Sequence, residues 1–359
     1  MIRIAYLALA EAHQHLHWLP GALALAARPG VEVSVLSASK ASLDLIRRFD
    51  PKKRLRIRYL PTPSHKRDGL FSPPPRGLVA LLYSPLLARF DAVVTTETSS
   101  SILKRLPWFG VPMIHLKHGA GDSVVGYNPN HRLYDFTLVN GPKDKARLIE
   151  KGLGRDDNIA VVGYAKFELI APAGRLFADD RSVALYNPHA KAPGSTWFDH
   201  GPAMVRAMEG IPGWNFVVAP HVKLKGGPDV SSDAPNVRID RGSIRSIDMS
   251  YTQGADVYIG DASSQVYEFI RQQRPCIFLN LDHADWRGKE QYTHWQFGQV
   301  IDDPSELAGA LDRAASLQPQ FEPLQRAAFE RSLDPTPVPS SMRQADAILA
   351  FLAGRGVSS

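Results

Sequence analysis

One cysteine, Cys276, stands in 359 residues, so no disulfide within the chain can brace the fold. It lies in the apolar run Pro275-Cys-Ile-Phe-Leu279 and reads as a buried strand residue. A cytoplasmic location fits this cysteine usage. No Asp-x-Asp pair occurs, so a metal held by that motif is not available. Long apolar runs are also missing. The longest stretch, Gly77 to Val94, is broken by Ser84, Pro85, Arg89 and Asp91, which excludes a membrane-spanning helix. Ile4 to Ala10 imitates the apolar part of a signal peptide, down to an Ala8-Leu-Ala10 ending. It is short and has only Arg3 before it, so a first strand explains it better. Aromatic residues are not interleaved with basic ones, which argues against a nucleic-acid partner.

What is present is the composition of a soluble globular protein, 44% hydrophobic and 22% charged. The length exceeds one comfortable core and predicts two domains. A net charge of +6 favours anionic partners: nucleotides, phosphorylated acceptors, or an anionic membrane surface touched peripherally at its inner face. The one basic cluster, Pro51 to Arg58, reads as a surface strand.

The periodicity predicts an α/β chain of doubly wound parallel sheets. Arg3 to Leu9 is a strand, Trp18 to Ala27 a helix and Val31 to Leu36 the next strand. Leu43 to Phe49 and Gly77 to Arg89 are helical, and Pro61 to Arg76 is a loop over the sheet. Strands follow at 91–95, 111–116, 136–139 and 159–162. After a linker at 169–181 the pattern restarts, with strands at 182–186, 214–219, 237–239 and 257–259, and a last one at 276–279. A helix at 307–315, a proline-rich linker and a final helix, Met342 to Ala353, complete the chain.

Ligands bind at the carboxyl ends of strands in such sheets, so the residues there are the functional candidates. Val257 to Ile270 is the central stretch: a buried strand, a turn at Gly260-Asp261, and a helix start with Ser263 or Ser264 as N-cap and Glu268 one turn on. Such a start suits a phosphate or pyrophosphate, and Glu268 suits the hydroxyls of a ribose. Its companions are the loop from Asn187 to Thr196 with His189, and the loop from His221 to Lys225 with Lys223. Together they suit a nucleoside diphosphate donor. In the first half, His118 stands in Lys117-His-Gly-Ala-Gly-Asp122 directly after a strand. It reads as a general base, with Asp122 or a nearby carboxylate as the group that orients or polarises its ring. The run His13-Gln-His15-Leu-His17 is read as a loop after the first strand, with His13 and His15 as acceptor-side candidates.

The ordered set His118-Gly119, Gly163-x-x-Lys166-x-Glu168, Pro220-His221, Asp261-x-Ser263-Ser264-x-x-x-Glu268 and Arg274-Pro275 resembles the CDP-glycerol glycerophosphotransferase family over roughly residues 90–300. The resemblance implies a GT-B fold: two Rossmann-like domains with a cleft between them. These would be residues 1–168 as acceptor domain and 182–335 as donor domain, with helix 342–353 docking back on the first. It implies a metal-independent transferase without cofactor. Such an enzyme moves a glycerophosphate, polyol-phosphate or sugar group from a CDP-glycerol-like donor to a polysaccharide or lipid-linked acceptor hydroxyl in cell-envelope polymer synthesis. Lys166 falls on the acceptor side in that reading. UDP-N-acetylglucosamine 2-epimerases share the fold and are the alternative enzyme class. A non-catalytic nucleotide-sugar-binding module is the third.

Overall fold

Two all-parallel sheets carry the chain, each in its own compact unit of the computed structural model. The structure describes residues 1–62, 69–122, 127–170, 174–192 and 194–357. Parts of the expected loops at 61–76 and 187–196 and of the linker at 169–181 therefore lie outside the described residues.

Unit 1 gathers Met1–Ala120, Val125–Leu169 and Glu330–Ser359. Its strands are β1 (Ile2–Leu7), β2 (Val31–Ser37), β3 (Arg56–Tyr59), β4 (Ala92–Thr95), β5 (Met113–Leu116), β6 (Phe136–Val139) and β7 (Ile159–Val161). They stand side by side in the order β3-β2-β1-β4-β5-β6-β7. Helices α1 (Ala12–Ala26), α2 (Lys40–Phe49), α3 (Arg76–Leu82), α4 (Ser84–Leu87) and α5 (Pro142–Glu150) connect them. Most of these strands are continuous apolar runs because helices cover both faces of the sheet. Ile4, Tyr6, Val33 and Val35 pack on one face against Trp18, Leu19 and Leu25 of α1. Ala5, Leu7, Val93 and Met113 pack on the other against Val79 and Leu103.

Unit 2 gathers Gly121–Val124 and Ile170–Phe329. It contains β8 (Val183–Asn187), α6 (Trp197–Glu209), β9 (Asn215–Val218), β10 (Val237–Ile239), α7 (Ser250–Gly254), β11 (Val257–Gly260), α8 (Val266–Phe269), β12 (Cys276–Leu279) and β13 (Gln299–Ile301). The sheet order is β10-β9-β8-β11-β12-β13. Tyr186, Val218, Ile259 and Ile277 pack on Trp197 and Met204 and on Leu307 and Leu311 of the long helix α9 (Leu307–Leu333). The final helix is α10 (Ser340–Ala353). It lies in unit 1, where Ala345, Ile348 and Leu352 join the α1 core and Phe351 stacks on Phe136 at 4.6 Å.

Several expectations are corrected. The histidine run is not a loop: α1 begins at Ala12, because Gln14, His15 and His17 are buried along with Leu16 and Leu19. A polar reading of histidine hides that face. Gly77 to Arg89 is two helices rather than one, with Pro85 near the start of α4. β12 is followed by a further strand, β13, too short to announce itself. Helix α9 runs on through Pro319 and Pro323. The missing backbone donors are offset by tertiary bonds, among them buried Gln325, whose Nε2 donates to the carbonyls of Phe297 (2.7 Å) and Arg274 (3.0 Å).

In both sheets the first strand is central and the chain changes direction beside it, between β1 and β4 and between β8 and β11. The carboxyl ends at those two points are where the geometry invites ligands.

Candidate functional site

In unit 1, His118 follows β5, beside the β1/β4 switch. Its Nδ1 lies 3.0 Å from the carbonyl oxygen of Thr96. A carbonyl only accepts, so the ring proton sits on Nδ1 and the lone pair on Nε2 is the basic one. Thr96 is thus the group that orients the ring through Nδ1. The backbone after His118 is pinned from α5 and the residues before it. Asn140 Nδ2 donates to Gly119 O (2.8 Å), and Lys143 Nζ donates to Ala120 O (2.6 Å). Gly119 has φ of 70°, a conformation that other residues rarely adopt.

His13 and His17 are one helical turn apart on α1 and both present their rings to His118, at 6.3 and 6.1 Å between centroids. Tyr164 packs edge-on against His17 at 5.0 Å. Lys166 is buried close by. Burial first, and then the neighbouring Lys166 and His118, hold the His17 pKa well below the ordinary histidine range. The structure does not bring His15 into this group. His15 is fully buried beside Trp18, and burial, with Arg76 nearby, lowers its pKa to about 3.

The Gly163-x-x-Lys166-x-Glu168 segment divides its labour. Glu168 Oε1 accepts from the Ser341 amide at 2.8 Å and so caps the start of α10. Gly163, at φ of 75°, leaves room for Ser340, whose Oγ lies 2.3 Å from where a Cβ would stand. Only Lys166 of the three stands in the histidine group. The hydroxyl-rich start at Thr96 to Ser101 is already occupied. Glu97 accepts from the amides of Ser99 (2.6 Å) and Ser100 (3.2 Å), which removes that helix start as an anion site.

In unit 2, Asp261 is a hub. Its carboxylate accepts from the amides of His189 and Thr196, both at 2.8 Å, and from the Thr196 hydroxyl at 2.9 Å. Its carbonyl accepts from His294 Nε2 (2.8 Å) and Trp295 Nε1 (2.9 Å). Burial pushes the carboxyl pKa up, against the three donors that favour the charged form. Asp261 therefore ties the loops after β8 and β11 together.

The helix start expected after Asp261 is also corrected. Helix α8 is a single turn, its N-cap is Gln265, and no side chain caps it. The Ser263 hydroxyl is fully buried and donates to Asn187 Oδ1 at 2.7 Å, while Asn187 Nδ2 donates to Ala219 O at 2.7 Å. Ser264 is the more exposed of the two serines. Gly121 packs on it so closely that a Cβ there would stand 2.5 Å from the Ser264 Cβ. Glu268 is buried.

His221 follows β9, and its Nδ1 accepts from the Lys223 amide at 3.1 Å, which places the ring proton on Nε2. Its ring lies 6.3 Å from that of His189. Lys223 is half-buried on the same turn. Asp122 meets two other side chains of unit 2. It accepts from the Tyr267 hydroxyl at 2.6 Å and lies 3.4 Å from His294 Nδ1.

The sequence places Asn187 and Thr196 in a candidate loop but does not show their bonds to Ser263 and Asp261, nor the bond of Thr96, which follows a predicted strand, to His118. His294 gives no signal, since it sits in an irregular stretch far along the chain. Among the described residues, no group of three or more His, Cys, Asp or Glu is placed to hold a metal ion. Nor is any helix long and apolar enough to cross a membrane.

Acid stability follows from the buried histidines of unit 1. His15, His17 and His115 all have pKa values lowered by burial, so the unfolded chain binds their protons more readily. Their contribution is complete above about pH 6.5 and is lost as pH falls, toward about 3 for His15. For His15 alone the loss is about 2 kcal/mol by pH 5. Urea unfolding followed from pH 7 to 4 should show stability falling with acidification. His15→Leu should remove close to one proton from that slope; an unchanged slope would contradict the assignment.

No curated protein matches the chain at the sequence level. Solved structures do match the fold. The Staphylococcus aureus MnaA–UDP co-structure aligns over 98% of this chain and 97% of its own, with a TM-score of 0.67 at 12% identity. UDP-GlcNAc 2-epimerase from Neisseria meningitidis bound to UDP-GlcNAc covers 99% and 100%, with 0.65 at 12%. The wall teichoic acid polymerase TagF, as the H444N form with CDPG, covers 99% and 90%, with 0.66 at 13%. The fold is accordingly the GT-B type, two parallel-sheet α/β domains. The resemblance carried by the spaced motifs is borne out over residues 214–336, from the start of β9 past the end of α9, which match the family of CDP-Glycerol:Poly(glycerophosphate) glycerophosphotransferase.

Proposed function

We propose that the chain is a transferase that moves a glycerophosphate or related polyol-phosphate group from a CDP-glycerol-like donor to an acceptor hydroxyl. The acceptor would be a polysaccharide or lipid-linked chain, reached at the inner face of a membrane. The observation that carries this reading is the family match over 214–336, which contains His221, Asp261, Ser264 and Glu268. The MnaA and epimerase likenesses are of fold alone and do not choose between chemistries.

In this reading unit 2 holds the donor. The His221 Nε2–H and the Lys223 ammonium donate to the diphosphate, and Ser264 adds a hydroxyl. Glu268 takes the ribose hydroxyls, and Asp261 with Ser263 fixes the loops that carry these groups. Unit 1 supplies the base. An acceptor oxygen forms a bond to the glycerol-bearing phosphorus while its proton passes to His118 Nε2. The pyrophosphate bond breaks, and CMP leaves with the bonding pair. His13, His17 and Lys166 face the acceptor, and the Thr96 carbonyl stabilises the imidazolium that forms.

A thermal-shift panel of CDP-glycerol, CDP-ribitol, UDP-, GDP- and CMP-sugars tests the donor. The cognate compound at 100 times its dissociation constant should stabilise the fold by about 2.7 kcal/mol. Ser264→Ala should weaken that compound by about 1 kcal/mol without lowering the melting point of the free protein. Stabilisation by UDP-GlcNAc alone, with solvent deuterium entering the sugar at C2 in the absence of acceptor, would replace this reading with an epimerase. No stabilisation by any member would remove it.

A further inference from the structure

Along the edge strand β3 of the unit 1 sheet, a pocket of about 300 Å³ opens among Arg3 of β1, Glu32 and Ser34 of β2, Arg56 to Arg58 of β3 and the segment that follows α4. Arg3, Arg56, Arg58 and Arg89 line it, with Ile57 and Phe90 between them. Glu32 pairs with Arg56 at 2.9 Å and neutralises one of these cations. Asp91 spends a carboxylate oxygen on the Arg3 backbone amide, at 2.7 Å, rather than on its guanidinium. Among the described residues, the guanidinium groups of Arg3, Arg58 and Arg89 have neither a hydrogen-bond nor an ion-pair partner. Arg47 and Arg155, exposed elsewhere on the same unit, each hold a carboxylate.

Three unpaired cations around one small cavity repel one another, a cost that a bound anion removes. Guanidinium forks match the oxygens of phosphate, and they are less strongly hydrated than ammonium groups. The partly buried Ile57, Leu86 and Phe90 offer apolar contact to the carbon part of such a ligand. The volume is at the low end for small-molecule sites, enough for one headgroup and not for a polymer segment. His118 follows β5, four strands across the sheet from β3, which at about 4.8 Å per strand is roughly 19 Å from the edge that carries Arg56 and Arg58.

We propose that this arginine pocket binds a phosphate ester of the glycerol phosphate kind, free or as the headgroup of an anionic lipid, at a site separate from that of group transfer. It stands whether or not the chain is a transferase. The test has two arms, calorimetric titration with glycerol 3-phosphate and co-sedimentation with phosphatidylglycerol vesicles against phosphatidylcholine vesicles. Each is run on the wild type and on the Arg3→Gln/Arg58→Gln/Arg89→Gln variant. An Arg47→Gln/Arg48→Gln/Arg105→Gln variant carries the same change in net charge elsewhere on unit 1. Binding should weaken about tenfold per guanidinium in the pocket variant and less than about threefold in the control. Arg58→Gln alone, about tenfold weaker, covers the case in which the triple variant does not fold. Saturable binding in the first arm identifies a free ester, and binding in the second arm only identifies a lipid headgroup. Absence of binding in both arms, retention in the pocket variants, or an equal loss in the control would overturn the proposal.

Discussion

Replacing His118 with alanine is expected to lower turnover by about 10²- to 10⁴-fold while nucleotide affinity stays nearly unchanged. The expectation rests on the ring's tautomer. Thr96 O fixes the proton on Nδ1, so the nitrogen left to take a proton is Nε2. No nucleotide-binding role is assigned to unit 1, so donor affinity should not follow the loss. His221→Ala should show the reverse weighting, since its Nδ1 is occupied by the Lys223 amide and Nε2–H is a donor. That variant should lose donor affinity first. Measured by steady-state kinetics with saturating donor, together with direct nucleotide titration, the two variants separate base from binder. A His118→Ala protein that turned over normally once saturated, but bound donor poorly, would exchange the two roles.

The second large effect concerns the fold of unit 2. Asp261→Asn should destabilise it by about 3 kcal/mol in the absence of any ligand. The carboxylate receives three donors from two backbone amides and one hydroxyl. An amide in its place turns an NH₂ group toward one of those N–H donors, in a site with almost no solvent access. The loops after β8 and β11 then lose their shared tie. Differential scanning calorimetry of the free protein reads this directly. If Asp261→Asn melted like the wild type and only nucleotide affinity fell, the carboxylate would be a ligand contact and not a tie. The family-derived Asp-x-Ser-Ser motif is consistent with either use; the hydrogen bonds favour the tie for Asp261 and Ser263, while Ser264 is the partly exposed member of the three.

Arg274 and Cys276 show the same division at smaller scale. The Arg274-Pro275 pair belongs to the motif set, yet the guanidinium donates to the Gln253 carbonyl at 3.2 Å, and burial lowers its pKa to about 10. It closes the end of α7 against β12, a supporting role. Cys276, the first residue of β12, is buried, and burial pushes its thiol pKa up, away from reactivity.

The sequence by itself determined the alternation of apolar strands and amphipathic helices. Ile2–Leu7, Phe136–Val139, Val257–Gly260 and Cys276–Leu279 are short apolar runs punctuated by glycine, proline and polar turns, and that pattern is local. It also indicated which loops stand at the carboxyl ends of the strands, where ligands bind in a parallel sheet, and His118, His189, His221 and Asp261 do follow β5, β8, β9 and β11. Only the tertiary structure decided what each of those side chains faces. Whether Ser263 caps a helix or bonds Asn187, and whether Asp122 meets Tyr267 and His294, depends on partners 76, 145 and 172 positions away in the chain. Hydrogen bonds of that reach leave no periodicity in the sequence. The same holds for His15 and His17, two residues apart and both buried. One packs beside Trp18 and the other against Tyr164 and His118, because a helix turns about 200° in two residues.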